Sequence, residues 1–358
     1  MKTYAIAVIP GDGIGPEVVA QGLKVLDAAG KRFGFGIKTT RYPWSGEHYL
    51  KTGELMPDTA LGEYRDHNAV FLGAIGDPRL EAGLLERAVV AGCRFGLDLY
   101  VNLRPVRLYA EHLCPLKDAT PETVDMAVVR ENTEDLYVGI HGFCKKGTAD
   151  EVATQELLLT RKGTERVIRY AFDLARSRRR KHLTLVDKAN AVRAYDLWRR
   201  VFNELAAAYP DVTTATLYVD VAAMAMVADP GRFDTVVTPN LFGDILTDLG
   251  AALQGGMGAA ASANLHPGQT GMFEPVHGSA PDIAGSGRAN PVAAVASIQL
   301  LLEDLGETQA ANAVGQAIQA ALTSRAIPSL GADTGLTTDA MGDLLASRSE
   351  ERRVGKAC

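Results

Sequence analysis

Short apolar runs alternate with stretches of helical period along this chain, and that alternation restricts it to an α/β architecture with a largely parallel sheet. Ala5 to Ile9 is a β-type run, ended by Pro10-Gly11-Asp12-Gly13. Val18, Val19, Leu23, Val25, Leu26 and Ala29 then recur at helical spacing. Ala69 to Leu72 reads as a buried strand ended by Gly73, and Met126 to Val129 as a strand running into Arg130. Val167, Ile168, Ala171, Phe172, Leu174 and Ala175 mark an amphipathic helix, followed by the strand His182 to Val186 and then Asp187-Lys188. Phe233 to Val237 is the next strand, with Asn240 as the expected cap of a helix starting at Leu241. Helices are expected again from Pro291 to Leu305 and from Thr308 to Leu322. Asp12, Arg130, Lys188 and Asn240 all follow strand ends, where open α/β sheets gather their ligands.

A length of 358 residues suggests two domains or one large α/β unit, and a hydrophobic content of 47% suffices for a buried core. The net charge of −6 argues against nucleic acid as a partner, since phosphate binding needs a basic face. The basic run Arg176 to Lys181 (RSRRRK) reads as a solvated helix end whose cations suit the helix dipole. Cys93, Cys114, Cys144 and Cys358 have no CxxC spacing and read as reduced thiols of a cytoplasmic protein. The apolar part of the N-terminal stretch is too short for a secretory signal, and no window approaches the ~18 apolar residues of a membrane span. Residues 347–358 (SRSEERRVGKAC) are charged and aperiodic, and are expected to be a disordered or non-native tail.

Several groups of residues carry chemistry. Asp244 and Asp248 stand at i and i+4 in NLFGDILTDLG, so a helix presents both carboxylates on one face. An isolated pair of this kind is ordinarily an exposed acidic face. Here apolar Leu241, Phe242, Ile245, Leu246 and Leu249 surround it, and a third acid, Asp220, ends the run LYVD. Three hard oxygen donors suit Mg²⁺ or Mn²⁺. Arg94 and Arg104 in CRFGLDLYVNLRP, and Arg130 in VRENTEDLYVG, are candidate carboxylate clamps. Lys188 and Tyr137 can exchange protons with a substrate. Finally, Glu274 to Pro291 (EPVHGSAPDIAGSGRANP) has no helical or strand period and is rich in Gly and Pro, which marks a long functional loop. By contrast, Gly11 to Gly15 (GDGIG) is a weak signal alone, since a plain tight turn explains it.

Taken together these segments resemble the β-decarboxylating dehydrogenases, the family of isopropylmalate, isocitrate, homoisocitrate, tartrate and D-malate dehydrogenases. The resemblance covers roughly Tyr4 to Ala346. It implies an α/β fold of two domains with parallel and mixed sheets flanked by helices, not a Rossmann fold. Residues 1–100 and 256–346 would form a discontinuous NAD-binding domain, and 101–255 a second domain with the dimer interface. It also implies a homodimer with shared active sites, or a tetramer of such dimers. On this resemblance Asp220, Asp244 and Asp248 hold the metal, the first reaching across from the other subunit. Arg94, Arg104 and Arg130 bind the malate carboxylates. Lys188, aided by Asp220, serves the hydroxyl proton, Tyr137 protonates the enol, and Asn190 lies near substrate and nicotinamide. Glu274, His277, Gly278, Ala280, Asp282, Ile283 and Asn290 match the adenosine loop, Gly73 and Ala74 match the loop near the nicotinamide, and Ile14 is a further cofactor position.

Asp282 suits ribose hydroxyls and repels a 2′-phosphate, which points to NAD over NADP. The group on C3 of the malate is expected to meet Arg87, Val90, Ala91 and Arg94, which share one face if ERAVVAGCR is an α-helix. Isocitrate is disfavoured, because that region lacks the Ser and Asn that isocitrate relatives carry there. 3-Isopropylmalate leads. A malate with a distal anion, such as homoisocitrate or a phosphonomethyl-malate, and D-malate or tartrate remain as alternatives. A non-catalytic regulatory subunit is the reading outside enzymes, and the presence of every acid/base and metal position weighs against it.

Overall fold

In a computed structural model, which describes residues 2–350, twelve strands and eleven α-helices alternate along the chain. The strands are β1 (Lys2–Gly11), β2 (Phe35–Arg41), β3 (Ala69–Ala74), β4 (Val101–Arg107), β5 (Asp125–Glu131), β6 (His141–Cys144), β7 (Val152–Gln155), β8 (His182–Asp187), β9 (Thr213–Tyr218), β10 (Thr235–Thr238), β11 (Ala261–Leu265) and β12 (Gly271–Pro275). The helices are α1 (Gly15–Phe33), α2 (Gly46–Thr52), α3 (Asp58–Arg65), α4 (Gly92–Gly96), α5 (Arg161–Ser177), α6 (Asp196–Ala206), α7 (Val219–Ala228), α8 (Asn240–Leu253), α9 (Val292–Asp304), α10 (Thr308–Thr323) and α11 (Thr338–Glu350).

Ten strands form one sheet in the order β2-β1-β3-β12-β11-β4-β5-β10-β8-β9. Its two ends are parallel, and its middle is antiparallel where β11 pairs with β12 and β4, and β4 with β5. This bears out the expected mixed α/β fold. Strands β6 and β7 form a separate antiparallel hairpin. Its Phe143 and Val152 side chains are exposed.

Helix α1 shows how sequence sets an element. Pro16 sits in its first turn, and Gly34 ends it at φ 83°, a backbone that glycine adopts without strain. Val18, Val19, Val25 and Leu26 face the sheet and are at most 1% exposed. Each such side chain contributes about 1.5–3 kcal/mol on burial. Phe172 stacks on Phe202 and Tyr209, linking α5 to α6 within the same buried core cluster.

Four sequence expectations are corrected. Glu86–Ala91 is a π-helical turn leading into α4, so Arg87, Val90, Ala91 and Arg94 do not follow one 3.6-residue face. Helix α8 begins at Asn240 without a side-chain cap from its own neighbours, and Asp135 receives the Leu241 amide instead at 2.9 Å. The basic run is not merely solvated: Arg176 pairs with Asp211, and Arg178 with Asp125 and Asp234. Of the expected tail, residues 347–350 complete α11, where Ser349 is buried and its carbonyl accepts from Arg32 at 2.7 Å. The remainder of that tail, with Cys358, lies outside the described residues.

Candidate active site

Strands β4 and β5 pair antiparallel with Asn102 opposite Arg130, which puts Arg104 and Arg130 close together beside α8. Helix α8 turns Asn240, Gly243, Asp244, Thr247 and Asp248 toward them, the i, i+3, i+4, i+7 and i+8 positions of one face. Arg130 donates from Nε to Asn240 Oδ1 at 2.9 Å and from Nη1 to Asp244 Oδ1. Arg104 donates to Asn102 Oδ1 at 2.8 Å and to Thr247 Oγ1 at 2.7 Å. It lies 3.6 Å from Asp244 and 3.9 Å from Asp248. Tyr137 donates its hydroxyl to Asp244 Oδ2 at 2.8 Å. Arg94, on α4, donates to Glu274 Oε1 at 3.1 Å, and its Nε is buried with no partner.

The electrostatics fit an anionic ligand. Burial, and then the neighbouring guanidiniums, lower the pKa of both Arg104 and Arg130, the latter to about 9, which leaves Arg130 a cation at neutral pH. Burial works against the charged form of Asp244, yet Arg130, Arg104 and the Tyr137 hydroxyl outweigh it and hold its pKa below the ordinary value. Asp248 is pushed up by burial, against Arg104 and with help from Asp244. Burial and the contact with Asp244 raise the Tyr137 hydroxyl to about 12, so it keeps its proton at neutral pH.

Lys188 stands elsewhere in the chain. It follows β8 and donates to Asp220 Oδ1 at 2.6 Å, with Asp220 in the first turn of α7. Asp187, fully buried, accepts from Arg199 at 2.7 Å and from the Ala189 amide at 2.9 Å, which fixes the backbone on either side of Lys188. Asn190 is exposed in the following turn. Among the described residues no three acids, histidines or cysteines gather closely enough to hold a metal, so Asp220 does not join Asp244 and Asp248 within one chain.

Three segments expected at the cofactor do meet. Asp12 accepts the Gly46 amide at 2.7 Å and the Gly76 amide at 3.0 Å, and its own amide donates to Ala74 at 2.7 Å. Burial raises its pKa, with those amides opposing. The Ile14 amide donates to Ser279 at 2.9 Å, and a Cβ on Gly13 would lie 1.9 Å from that same carbonyl. A Cβ on Gly73 would lie 2.3 Å from Pro10 O, so β3 approaches the Gly loop too closely for a side chain there. Glu17 receives the Gly285 amide at 2.6 Å, and Ala280 takes φ 40° between them. His277 Nδ1 lies 3.0 Å from Gly278 O, and its Nε2 is buried without a partner, so it has a polar atom to offer a bound group. Asp282 is exposed, Ile283 half-buried, and Gly278 has open space around it. Asn290 is committed to structure: it donates to Ser329 O at 3.1 Å and receives the Val292 amide at 3.1 Å. Glu274 faces Arg94 and Asn264, at the seam between this loop and the arginines.

Near the π-helical turn, Arg87 points outward, 64% exposed and 3.8 Å from Glu81. Val90 is partly buried against a core cluster that includes Val70, Leu72 and Val89, while Ala91 is half-buried.

Sequence reasoning missed the scaffold beneath the arginines. Asn102 donates to Asn264 Oδ1 at 2.8 Å, Asn132 to the same oxygen at 3.0 Å, and Asn264 to Glu274 at 2.9 Å. All three asparagines are buried. A lone Asn inside an apolar strand, as in YVNLRP and ASANL, is the signal that could have found them. Gly243 was missed as well: a Cβ there would lie 2.5 Å from Arg130 Cγ.

A model of the isocitrate/isopropylmalate dehydrogenase family matches residues 5–345. The chain belongs to that family. It is 52% identical to the 3-isopropylmalate dehydrogenase of Thermobifida fusca over 328 residues, 91% of this chain and 93% of the relative. To the 3-isopropylmalate dehydrogenase of Leifsonia xyli it is 48% identical over 353 residues, 97% of this chain and 98% of the relative. Among solved structures, isocitrate dehydrogenase from Methylococcus capsulatus superposes with a TM-score of 0.88 at 37% identity, covering 97% of this chain and all of the other. A β-decarboxylating dehydrogenase from Thermococcus kodakarensis superposes with a TM-score of 0.80 at 32% identity, covering 97% and 96%. The family assignment makes this a decarboxylating hydroxyacid dehydrogenase.

Proposed function

We propose that the chain catalyses the NAD-dependent oxidative decarboxylation of 3-isopropylmalate, as a homodimer whose two sites each draw residues from both copies. The observation that carries this reading is the split constellation. Arg94, Arg104, Arg130, Tyr137, Asp244 and Asp248 gather on one chain, whereas Lys188 and Asp220 form a separate pair whose partner site must come from a second copy. The substrate follows from relatives near 50% identity that are named 3-isopropylmalate dehydrogenase, against 37% for the isocitrate enzyme. The outward Arg87, paired with Glu81, supports an apolar C3 group over a distal anion.

The roles follow from chemistry. Arg94, Arg104 and Arg130 hold the carboxylates; the unmet Nε of Arg94 is a donor awaiting one. Asp244 and Asp248, with Asp220 of the second copy, are hard oxygen donors that fit Mg²⁺ or Mn²⁺. Bound there, the cation would supply Lewis-acid polarisation and NAD would supply the hydride acceptor. Lys188 serves the transfer of the C2 hydroxyl proton, with Asp220 orienting it. After loss of CO₂, Tyr137 gives its hydroxyl proton to C3. Ile14, Gly73, Ala74, Gly278 and Ala280 line the cofactor by backbone approach, His277 offers its unpartnered Nε2, and exposed Asp282 meets the ribose hydroxyls, favouring NAD.

The same reading divides the chain into 1–100 with 256–346, and 101–255. Strands β1, β2, β3, β12 and β11 then form one half of the sheet and β4, β5, β10, β8 and β9 the other, which supports that division. Exposed Met224 and Val227 on α7 and Ile245 on α8 supply an apolar face for the second copy.

Mixed dimers test the shared site. Lys188→Met and Asp244→Asn are each expected to lose activity by about 10²–10⁴-fold. When the two variants are refolded together, hybrid dimers contain one site with both residues intact, and activity returns. No recovery in verified hybrids would show that the site lies within one chain.

A further inference from the structure

Strand β9 is an edge of the large sheet, and β8 is its one neighbour among the described residues. Register sets Asp187 opposite Tyr218 as the last pair of the two strands. Lys188 directly follows the first of these, and Asp220 stands two residues after the second. Both functional residues therefore lie beyond the ladder, and strand pairing alone does not hold them together.

Arg199 joins the two strand ends. Its Nε donates to Asp187 Oδ2 at 2.7 Å and its Nη2 to Asp187 Oδ1 at 3.0 Å. Its Cζ lies 4.5 Å from the centre of the Tyr218 ring, over the ring face. One guanidinium thus grips one member of the last register pair with its fork and covers the other with its face. Asp187 is fully buried, and Arg199 is the one cation paired with it among the described residues. Arg199 is itself held from the core. It stands on α6, whose Trp198, Val201, Phe202 and Leu205 are buried, and Phe202 stacks on Phe172 of α5. Any cation could neutralise Asp187. The fork that fixes the carboxylate plane and the flat face that packs on Tyr218 belong to arginine and not to lysine.

We propose that Arg199 is a positioning residue for the proton-transfer step: it brackets the ends of β8 and β9 and so sets the 2.6 Å contact of Lys188 with Asp220. The inference rests on the proposed role of Lys188. Arg199→Lys keeps a cation for Asp187, and Tyr218→Leu keeps the ion pair, so neither variant leaves a buried charge alone. With 3-isopropylmalate, NAD and Mg²⁺, each is expected to lower kcat per folded dimer about tenfold, with dimers counted by sedimentation. KM for 3-isopropylmalate is expected to stay within about twofold, because Arg94, Arg104 and Arg130 hold the substrate. The double variant is expected to lose no more than about twofold beyond the worse single variant, since both act on one bracket. A role in folding alone lowers the yield of dimers and leaves kcat per dimer unchanged, and that result would overturn the proposal. Losses that multiply in the double variant would overturn it as well. Full activity in Lys188→Met would overturn the underlying reading and the proposal with it. Activity lost in Lys188→Met beside full kcat in Arg199→Lys would remove the proposal alone.

Discussion

At Gly243 the site depends on a hydrogen atom. The Arg130 side chain passes directly over this glycine, and a methyl group there would sit 2.5 Å from Cγ and 2.6 Å from Cβ. Arg130 is 3% exposed and tied to both Asn240 and Asp244, so it has nowhere to retreat. Gly243→Ala is therefore expected to cost about 1–3 kcal/mol of stability. It should also raise KM for the malate substrate about tenfold or more, because Arg130 is displaced from the carboxylate. Thermal denaturation and steady-state kinetics check both; an unchanged KM would show that Arg130 does not hold substrate. The charged residues of the site could be found in the sequence because carboxylates and guanidiniums among apolar neighbours demand a reason. Gly243 could not, since its role is the absence of a side chain against Arg130, a residue far away in sequence. Asn102, Asn132 and Asn264 escaped for a related reason: Asn102 and Asn132 both donate to Asn264, whose strand is distant from theirs in sequence.

Element by element, strand and helix positions followed from apolar period, and α1, β8, α9 and α10 lie close to where that period puts them. What failed were the junctions. The π-helical turn at Glu86–Ala91 cannot be told from an α-helix by composition, yet it changes which side chains share a face and leaves Arg87 in solvent. The start of α8 is a second case. Its cap is Asp135, held at φ 72° in a loop after β5, accepting from the Leu241 amide at 2.9 Å and from the Tyr195 hydroxyl at 2.8 Å. A local rule looked to Asn240, whose side chain is instead spent on Arg130 and on Glu134 O. Asp135→Ala removes the acceptor for both donors and leaves alanine in a left-handed backbone. The expected loss is about 2–4 kcal/mol, read by denaturant unfolding. A change below about 0.5 kcal/mol would mean that α8 does not need this cap.

For the molecule as a whole, the proposed function requires two chains for one site. The arginines gather with Asp244 and Asp248, while Lys188 and Asp220 form a separate pair, and exposed Met224, Val227 and Ile245 lie on α7 and α8. Substituting Asp for both Met224 and Ile245 should yield folded monomers in sedimentation, with turnover lost although every catalytic residue remains. Active monomers would contradict the shared site. The central claim is that this family member oxidises and decarboxylates a malate with an apolar C3 group. It is tested most directly by NADH formation with Mg²⁺ over 3-isopropylmalate, homoisocitrate, a phosphonomethyl-malate, D-malate, tartrate and isocitrate. The account predicts that 3-isopropylmalate has the highest kcat/KM, with Val90 and Ala91 beside its branched group and Arg87 uninvolved. A preference for a substrate with a distal anion, lost on Arg87→Ala, would contradict it.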